Sequence, residues 1–397
     1  MIVLCAHRLY TPREEIQNPL LFIEDGLISA VSSRAQQDVP KNATVIDLNH
    51  DLAGAILAPG FVDIHMHGGA GLDVMRATPA ELPRLNKFLA THGVTGYFPT
   101  TVAAPLDQTC AALERLADAI EAAPGSSNGG AVQARPLGIH LEGPFLSHKR
   151  RGVHPPEYLV EPTLAIFERL WQAARGHVRM MTIAPELPGA LDVIAEAARR
   201  KVCVSIGHSD AVLEAARAGV RAGARHATHT FNAMRPLDHR DPGILAEVLT
   251  DSRLTADIVV DGIHVAPEVV QIFLRAKGLE RAVLITDAIA AAGMPDGTYQ
   301  LGPIQVEVKD GKCTVDGKLA GSALTMDRAV RNVTQFAGWS LQDAVRAATL
   351  NPARAVGLAQ GHGTLASGAE ANLVVLSPSG EVRQTFVRGQ RTSEFYK

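Results

Sequence analysis

Five short segments carry side chains that bind metals and move protons. Pro59-Gly60-Phe61-Val62-Asp63-Ile64-His65-Met66-His67-Gly68 places two histidines two residues apart. On a strand that spacing points both imidazoles to one face. Such a pair can chelate one ion, or it can be an ordinary hydrogen-bonded pair. Gly138-Ile139-His140-Leu141-Glu142 puts Glu142 on the face of His140, which is expected to support it. A carboxylate there can hold one metal or bridge two. Ser205-Ile206-Gly207-His208 and His226-Ala227-Thr228-His229 end two further apolar runs in histidine. Glu142, His208 and His229 together suit a catalytic zinc that keeps one position open for water. Leu284-Ile285-Thr286-Asp287 ends a fifth run in a carboxylate. Metal-assisted hydrolysis needs a base that takes a proton from water and returns it to the leaving group. Asp287 is the candidate; the alternative is a partner that orients a ligand histidine.

These residues need elements that bring them to one place. Short apolar strands are expected near Phe61 to His67, Gly93 to Pro99, Pro136 to Glu142, Val178 to Ala184, Lys201 to His208, His226 to Phe231, Thr255 to Asp261 and Ala282 to Asp287. Helical patterns such as Leu106 to Ala122, Leu191 to Arg200 and Leu213 to Ala222 separate them. That alternation predicts an α/β fold, a (β/α)8 TIM-type barrel over residues 58–357, whose site lies at the C-terminal ends of the strands. An open doubly wound sheet is the other architecture, but no glycine-rich phosphate loop supports it. A β-hairpin insertion at about 299–320 surrounds Lys309-Asp310-Gly311-Lys312, and it either hangs over the barrel mouth or bridges to the rest of the chain. Both ends read as strands. Leu20 to Val31 is a hairpin around Asp25-Gly26, and Asn372 to Ser377 and Glu381 to Val387 are strand-like. Residues 1–57 and 358–397 are therefore expected to meet in a small β-sandwich domain. Gly125 to Gly130 is expected to be a flexible loop.

Composition bounds the partners. Of 397 residues, 38 are basic and 41 acidic, which excludes a polybasic surface for nucleic acid or membrane. No apolar run reaches the ~18 to 20 residues that cross a bilayer. Cys5, Cys110, Cys203 and Cys313 are far apart, so neither a disulfide framework nor a cysteine zinc site is expected. Free thiols and the lack of a secretory pattern at the N-terminus point to a reducing cytoplasm.

His65-x-His67, Glu142, His208, His229 and Asp287, at strands one, three, five, six and eight, resemble the metal-dependent amidohydrolase superfamily. His-Leu-Glu-Gly-Pro-Phe, Gly-His-Ser-Asp-Ala, Thr-His-Thr-Phe-Asn-Ala-Met, Asp-Gly-Ile-His-Val and Gly-Ser-Ala-Leu-Thr-Met resemble its N-acetylglucosamine-6-phosphate deacetylase family, over nearly the whole chain. The resemblance implies hydrolysis of the acetamide of an amino-sugar phosphate, with Asp287 as base. It implies that His154 contacts the sugar and polarises the acetyl carbonyl, and that His264 binds substrate. It implies that Arg240, from its own or a neighbouring subunit, and the Asn232-Ala233 backbone amides hold the phosphate, a role an Arg fork fits well. A homodimer follows from the same resemblance. Some family members lack the strand-one pair and work with one metal. This chain keeps His65 and His67, so one or two divalent metals fit, zinc first and Fe(II) as the other choice. Val178 to Pro185 holds no lysine for a carboxylated bridge. The N-acetylgalactosamine epimer, another amidohydrolase reaction and a non-catalytic scaffold remain as alternatives.

Overall fold

A computed structural model describes residues 1–122 and 132–392; the Gly125 to Gly130 stretch lies outside them. Eight short parallel strand segments carry the middle of the chain. The first, Phe61–Met66, pairs with Val94–Pro99. The third is broken into Arg135–Pro136, which pairs with the second strand, and Ile139–Glu142, which pairs with Val178–Ile183. Cys203–Ile206, His226–Ala227, Ala256–Val259 and Ala282–Ile285 complete the set. Ala227 N donates to Thr255 O at 3.1 Å, linking the sixth strand to the seventh. Asp287 N donates to His65 O at 2.9 Å, which brings the end of the eighth strand back to the first. The strands thus follow one another round a ring in chain order.

A helix follows each strand, from Leu82–Thr91 to Met326–Ala337. Their sequences explain their placement. In Ala190–Arg199 the buried residues are Ala190, Val193, Ile194 and Ala197, the spacing of one helical face turned to the strands. The strands are buried at nearly every position because both of their faces are covered. Leu106–Glu121 and Leu213–Ala222 form where the pattern predicts.

The two ends of the chain make two sheets. One holds Ile2–Cys5, Pro19–Glu24, Leu27–Ser33 and Thr44–Asp47. The other has six strands and joins Arg8–Tyr10, Glu15–Gln17 and Ile56–Pro59 to Leu373–Leu376, Val382–Val387 and Gln390–Arg391. They enclose one apolar cluster that includes Leu4, Leu9, Leu21, Ile23, Leu57, Val375 and Phe386. Asp25 and Gly26 turn the first hairpin with φ of 51° and 78°, the mirror-image geometry that Asp-Gly favours.

The insertion is larger than the single hairpin expected. Gly297–Leu301, Ile304–Lys309, Lys312–Val315 and Lys318–Leu319 form a four-stranded antiparallel sheet. Asp316-Gly317, a second Asp-Gly turn within the insertion, adds Lys318–Leu319 on one edge, and Gly297–Leu301 adds a strand on the other. Ile304, Val306 and Val308 alternate inward and pack with Val102, Ala104 and Ile289 beside the ends of the ring strands, so the insertion sits at the mouth. Among the described residues no helix is long and apolar enough to cross a membrane.

Phe386 is fully buried between the two terminal sheets. Phe386→Ala should cost about 3–5 kcal/mol, read as a lower unfolding midpoint by calorimetry. An unchanged midpoint would show that this packing contributes nothing to stability.

Candidate metal centre

The ring delivers its polar residues to one end. His65 leaves the first strand on the same face as His67, and their Nε2 atoms lie 3.2 Å apart. Glu142, the last residue of the third strand, has carboxylate oxygens 3.2 Å from His208 Nε2, 3.2 Å from His229 Nε2 and 3.3 Å from His67 Nε2. Asp287 Oδ1 lies 3.2 Å from His67 Nε2 and 3.5 Å from His65 Nε2. Two donor sets result: Glu142, His208 and His229, and His65, His67 and Asp287. Within each set, one ligand atom per residue lies within 4.8 Å of the others.

Three of these residues do not continue the strand. His208, His229 and Asp287 have φ of 45°, 29° and 49°, a left-handed backbone that non-glycine residues enter at a cost. Strands five, six and eight therefore stop earlier than the apolar pattern predicts. The turn at each end, not strand alternation, aims the side chain at the centre.

Hydrogen bonds fix which nitrogen faces inward. His67 Nδ1 donates to Thr100 O at 3.0 Å and His208 Nδ1 donates to Arg150 O at 2.9 Å. In the neutral ring each Nε2 then carries the lone pair that a metal ligand needs. His154 is the reverse case. Its Nδ1 accepts from Ala103 N at 3.1 Å, so its Nε2 carries the proton and is a hydrogen-bond donor. Burial, then the nearby His208, pushes the His154 pKa down to about 3, which keeps the ring neutral. His264 Nδ1 donates to Asp261 Oδ2 at 2.7 Å, leaving Nε2 to accept.

The charges fit a cation. Burial would raise the pKa of both carboxylates, but the imidazoles outweigh it and hold Glu142 and Asp287 below the usual carboxylate range. Burial would lower His67 and His229, yet Asp287 and Glu142 raise His67 to about 10, and Glu142 raises His229 to about 9. The cluster demands positive charge. Facing Nε2 atoms 3.0 Å apart in His208 and His229 cannot both keep protons, and a divalent cation between them meets the same demand.

The cavity over this centre is lined by His67, Glu142, His154, His208, His229, Asn232, Ala233, His264 and Asp287, and by Val102, Leu301 and Ile304 on its apolar side. Two expectations are corrected, for His140 and for the Asn232 amide, and Arg240 is placed away from the cavity of its own chain. His140 does not bond Glu142; it donates to Ile64 O, accepts from Thr182 and packs edge-on against His65. The Asn232 backbone amide is taken by His229 O at 2.9 Å; its buried side-chain Nδ2, unpartnered among the described residues, is the open donor instead. Arg240 is exposed and outside the cavity, its amide held by Asp238. Two residues beneath the centre were missed. Asp63 and Asp257 are fully buried and bond the backbone amides of His65 and His229. A lone carboxylate inside Val62-Asp63-Ile64 and Ala256-Asp257-Ile258 was the available signal.

The chain resembles known proteins over most of its length. Residues 56–392 match the amidohydrolase family. An N-acetylgalactosamine-6-phosphate deacetylase of Escherichia coli O157:H7 is 38% identical over 98% of this chain and 99% of its own. The human N-acetylglucosamine-6-phosphate deacetylase is 40% identical over 87% of this chain and 85% of its own. The structure of a Mycobacterium smegmatis N-acetyl-D-glucosamine-6-phosphate deacetylase mutant in complex with N-acetyl-D-glucosamine-6-phosphate superposes with a TM-score of 0.90, at 37% identity and 98% coverage of both chains. With a match that long and relatives that similar over most of their length, the chain belongs to the amidohydrolase family.

Proposed function

We propose that this chain removes the acetyl group of N-acetyl-D-glucosamine 6-phosphate, giving glucosamine 6-phosphate and acetate. The observation that carries the reading is the placement of Asp287 Oδ1 beside the His65–His67 pair, in the same cavity as Glu142, His208, His229 and the proton-bearing His154 Nε2. Glu142, His208 and His229 would hold a divalent cation, which would supply Lewis acidity for a carbonyl and for water. His65 and His67, with Glu142 between the two sets, fit a second ion. Zinc is the first choice and Fe(II) the second.

Asp287 is held ionised, so it accepts the proton of the water that adds to the acetyl carbon. His154 Nε2–H donates to the acetyl oxygen as charge develops there. The C–N bond then breaks, and Asp287 returns the proton to the amine nitrogen. His264 Nε2 accepts from a sugar hydroxyl. Asn232 Nδ2 donates to the phosphate end, with Ala233 beside it.

No Lys or Arg lines the cavity among the described residues. A phosphate dianion needs positive charge, and the exposed Arg240 supplies it from the neighbouring subunit of a homodimer. The architecture is read as a (β/α)8 barrel over residues 58–357 with a β-sandwich from residues 1–57 and 358–397, in a cytoplasmic enzyme. The galactosamine epimer is a second reading, favoured by the Escherichia coli relative; competing kcat/KM values on the two sugars decide it.

The test is acetate release from the 6-phosphate with metal measured on the same sample. Asp287→Asn should fold and bind metal but lose about 10²–10⁴-fold in kcat; normal turnover removes Asp287 as the base. Arg240→Ala should raise KM and leave kcat nearly unchanged, and an unaltered KM would end its phosphate role. Zinc titrated into metal-free protein at pH 7 should release protons, because His67 and His229 titrate near 10 and 9. Those raised values stabilise the metal-free fold below about pH 6.5, and that stabilisation is lost as pH rises through 9 to 10. Calorimetry in buffers of different ionisation enthalpy counts the protons, and the histidine contribution to the count should vanish over the same range, leaving only the proton of any acidified water.

A further inference from the structure

His67 and His208 are steered through their rings, since each Nδ1 donates to a main-chain carbonyl. His229 is not. Its Nδ1 has no hydrogen-bond partner among the described residues. Its backbone is also the most unusual of the set, with φ of 29°. Something other than the ring must hold it.

Asp257, on the seventh strand, meets that need. Its Oδ1 accepts from His229 N, and its main-chain O accepts from Thr230 N at 2.9 Å. Successive amides of the left-handed turn are therefore gripped by the two oxygens of one residue. Asp257 Oδ2 accepts from His226 Nε2 at 2.9 Å, and His226 Nδ1 meets Thr255 Oγ1 at 2.6 Å. Both Asp257 and His226 are fully buried and neither lines the cavity. Neither touches the substrate space, so the pair acts only through His229.

We propose that Asp257, braced by His226, is the positioning residue that sets His229 in its ligating pose by holding its backbone amide. The inference rests on reading Glu142, His208 and His229 as a metal site. A backbone grip does what a ring grip does elsewhere: it removes the freedom by which the ligand swings away. Replacing the carboxylate frees the turn to relax, and His229 then leaves the metal more often.

The test measures metal release from the full-length zinc protein into excess chelator, for wild type, Asp257→Asn, Asp257→Ala and His229→Ala. His229→Ala should lose zinc fastest; if it holds zinc as wild type does, the metal reading itself fails. Asp257→Asn keeps the size but has one acceptor where two are used, so it cannot accept from both His229 N and His226 Nε2; the braced grip is lost and zinc should leave about tenfold faster, with Asp257→Ala faster still. A purely structural role would lower the unfolding midpoint of Asp257→Asn and leave zinc release from folded protein unchanged. Release within twofold of wild type for Asp257→Asn, with His229→Ala impaired, overturns the proposal. Should Asp257→Ala fail to fold, the asparagine variant alone decides.

Discussion

The carboxylate of Glu142 is buried among imidazoles, with oxygens within 3.7 Å of nitrogens from His65, His67, His154, His208 and His229. A charged group in so dry a place costs far more than a fold of this size can spare unless positive charge surrounds it. Everything else at the mouth of the ring answers that demand. Strands one, five and six bring four of the histidines, the segment after strand three brings His154, strand eight brings Asp287, and main-chain carbonyls turn the His67 and His208 rings. The same arrangement that makes the carboxylate tolerable makes the place attractive to a cation.

Much of this was legible beforehand. Each ligand ends a short apolar run, and eight such runs alternating with Ala-rich helices leave few architectures open. The asparagine and arginine assignments fared differently. Asn232 lies in a tight turn where its amide is consumed by His229, a detail that depends on backbone torsions and not on residue type. Arg240 is exposed and does not line the cavity, a placement set by the course of its loop and not by residue type. His140 was misjudged for a simpler reason. Strand period predicts a shared face, but it does not say that Thr182 and the Ile64 carbonyl will claim both ring nitrogens first.

The cavity has two characters. Its floor is polar and titratable, whereas the insertion supplies Leu301 and Ile304 as an apolar wall. A dry wall beside a charged floor lowers the local dielectric, so each hydrogen bond aimed at a reacting oxygen counts for more than it would in water. The insertion is held by alternating buried residues against the ring, which makes it a fixed part of the site and not a loose loop.

The strand Ile56–Pro59 belongs to the terminal sheet, and Phe61–Met66, one residue later, belongs to the ring. Gly60 carries the chain across with no slack: its amide donates to Asn372 O, and an added Cβ would lie 2.3 Å from the Thr95 side chain. The rung from Pro59 reaches Leu373, near the far end of the sequence. His65 and His67 thus hang from a splint whose other half is a strand distant in sequence. The alignment of the strand that carries the histidine pair is therefore coupled, through Gly60, to the packing of strands contributed by the distant C-terminal part of the sequence.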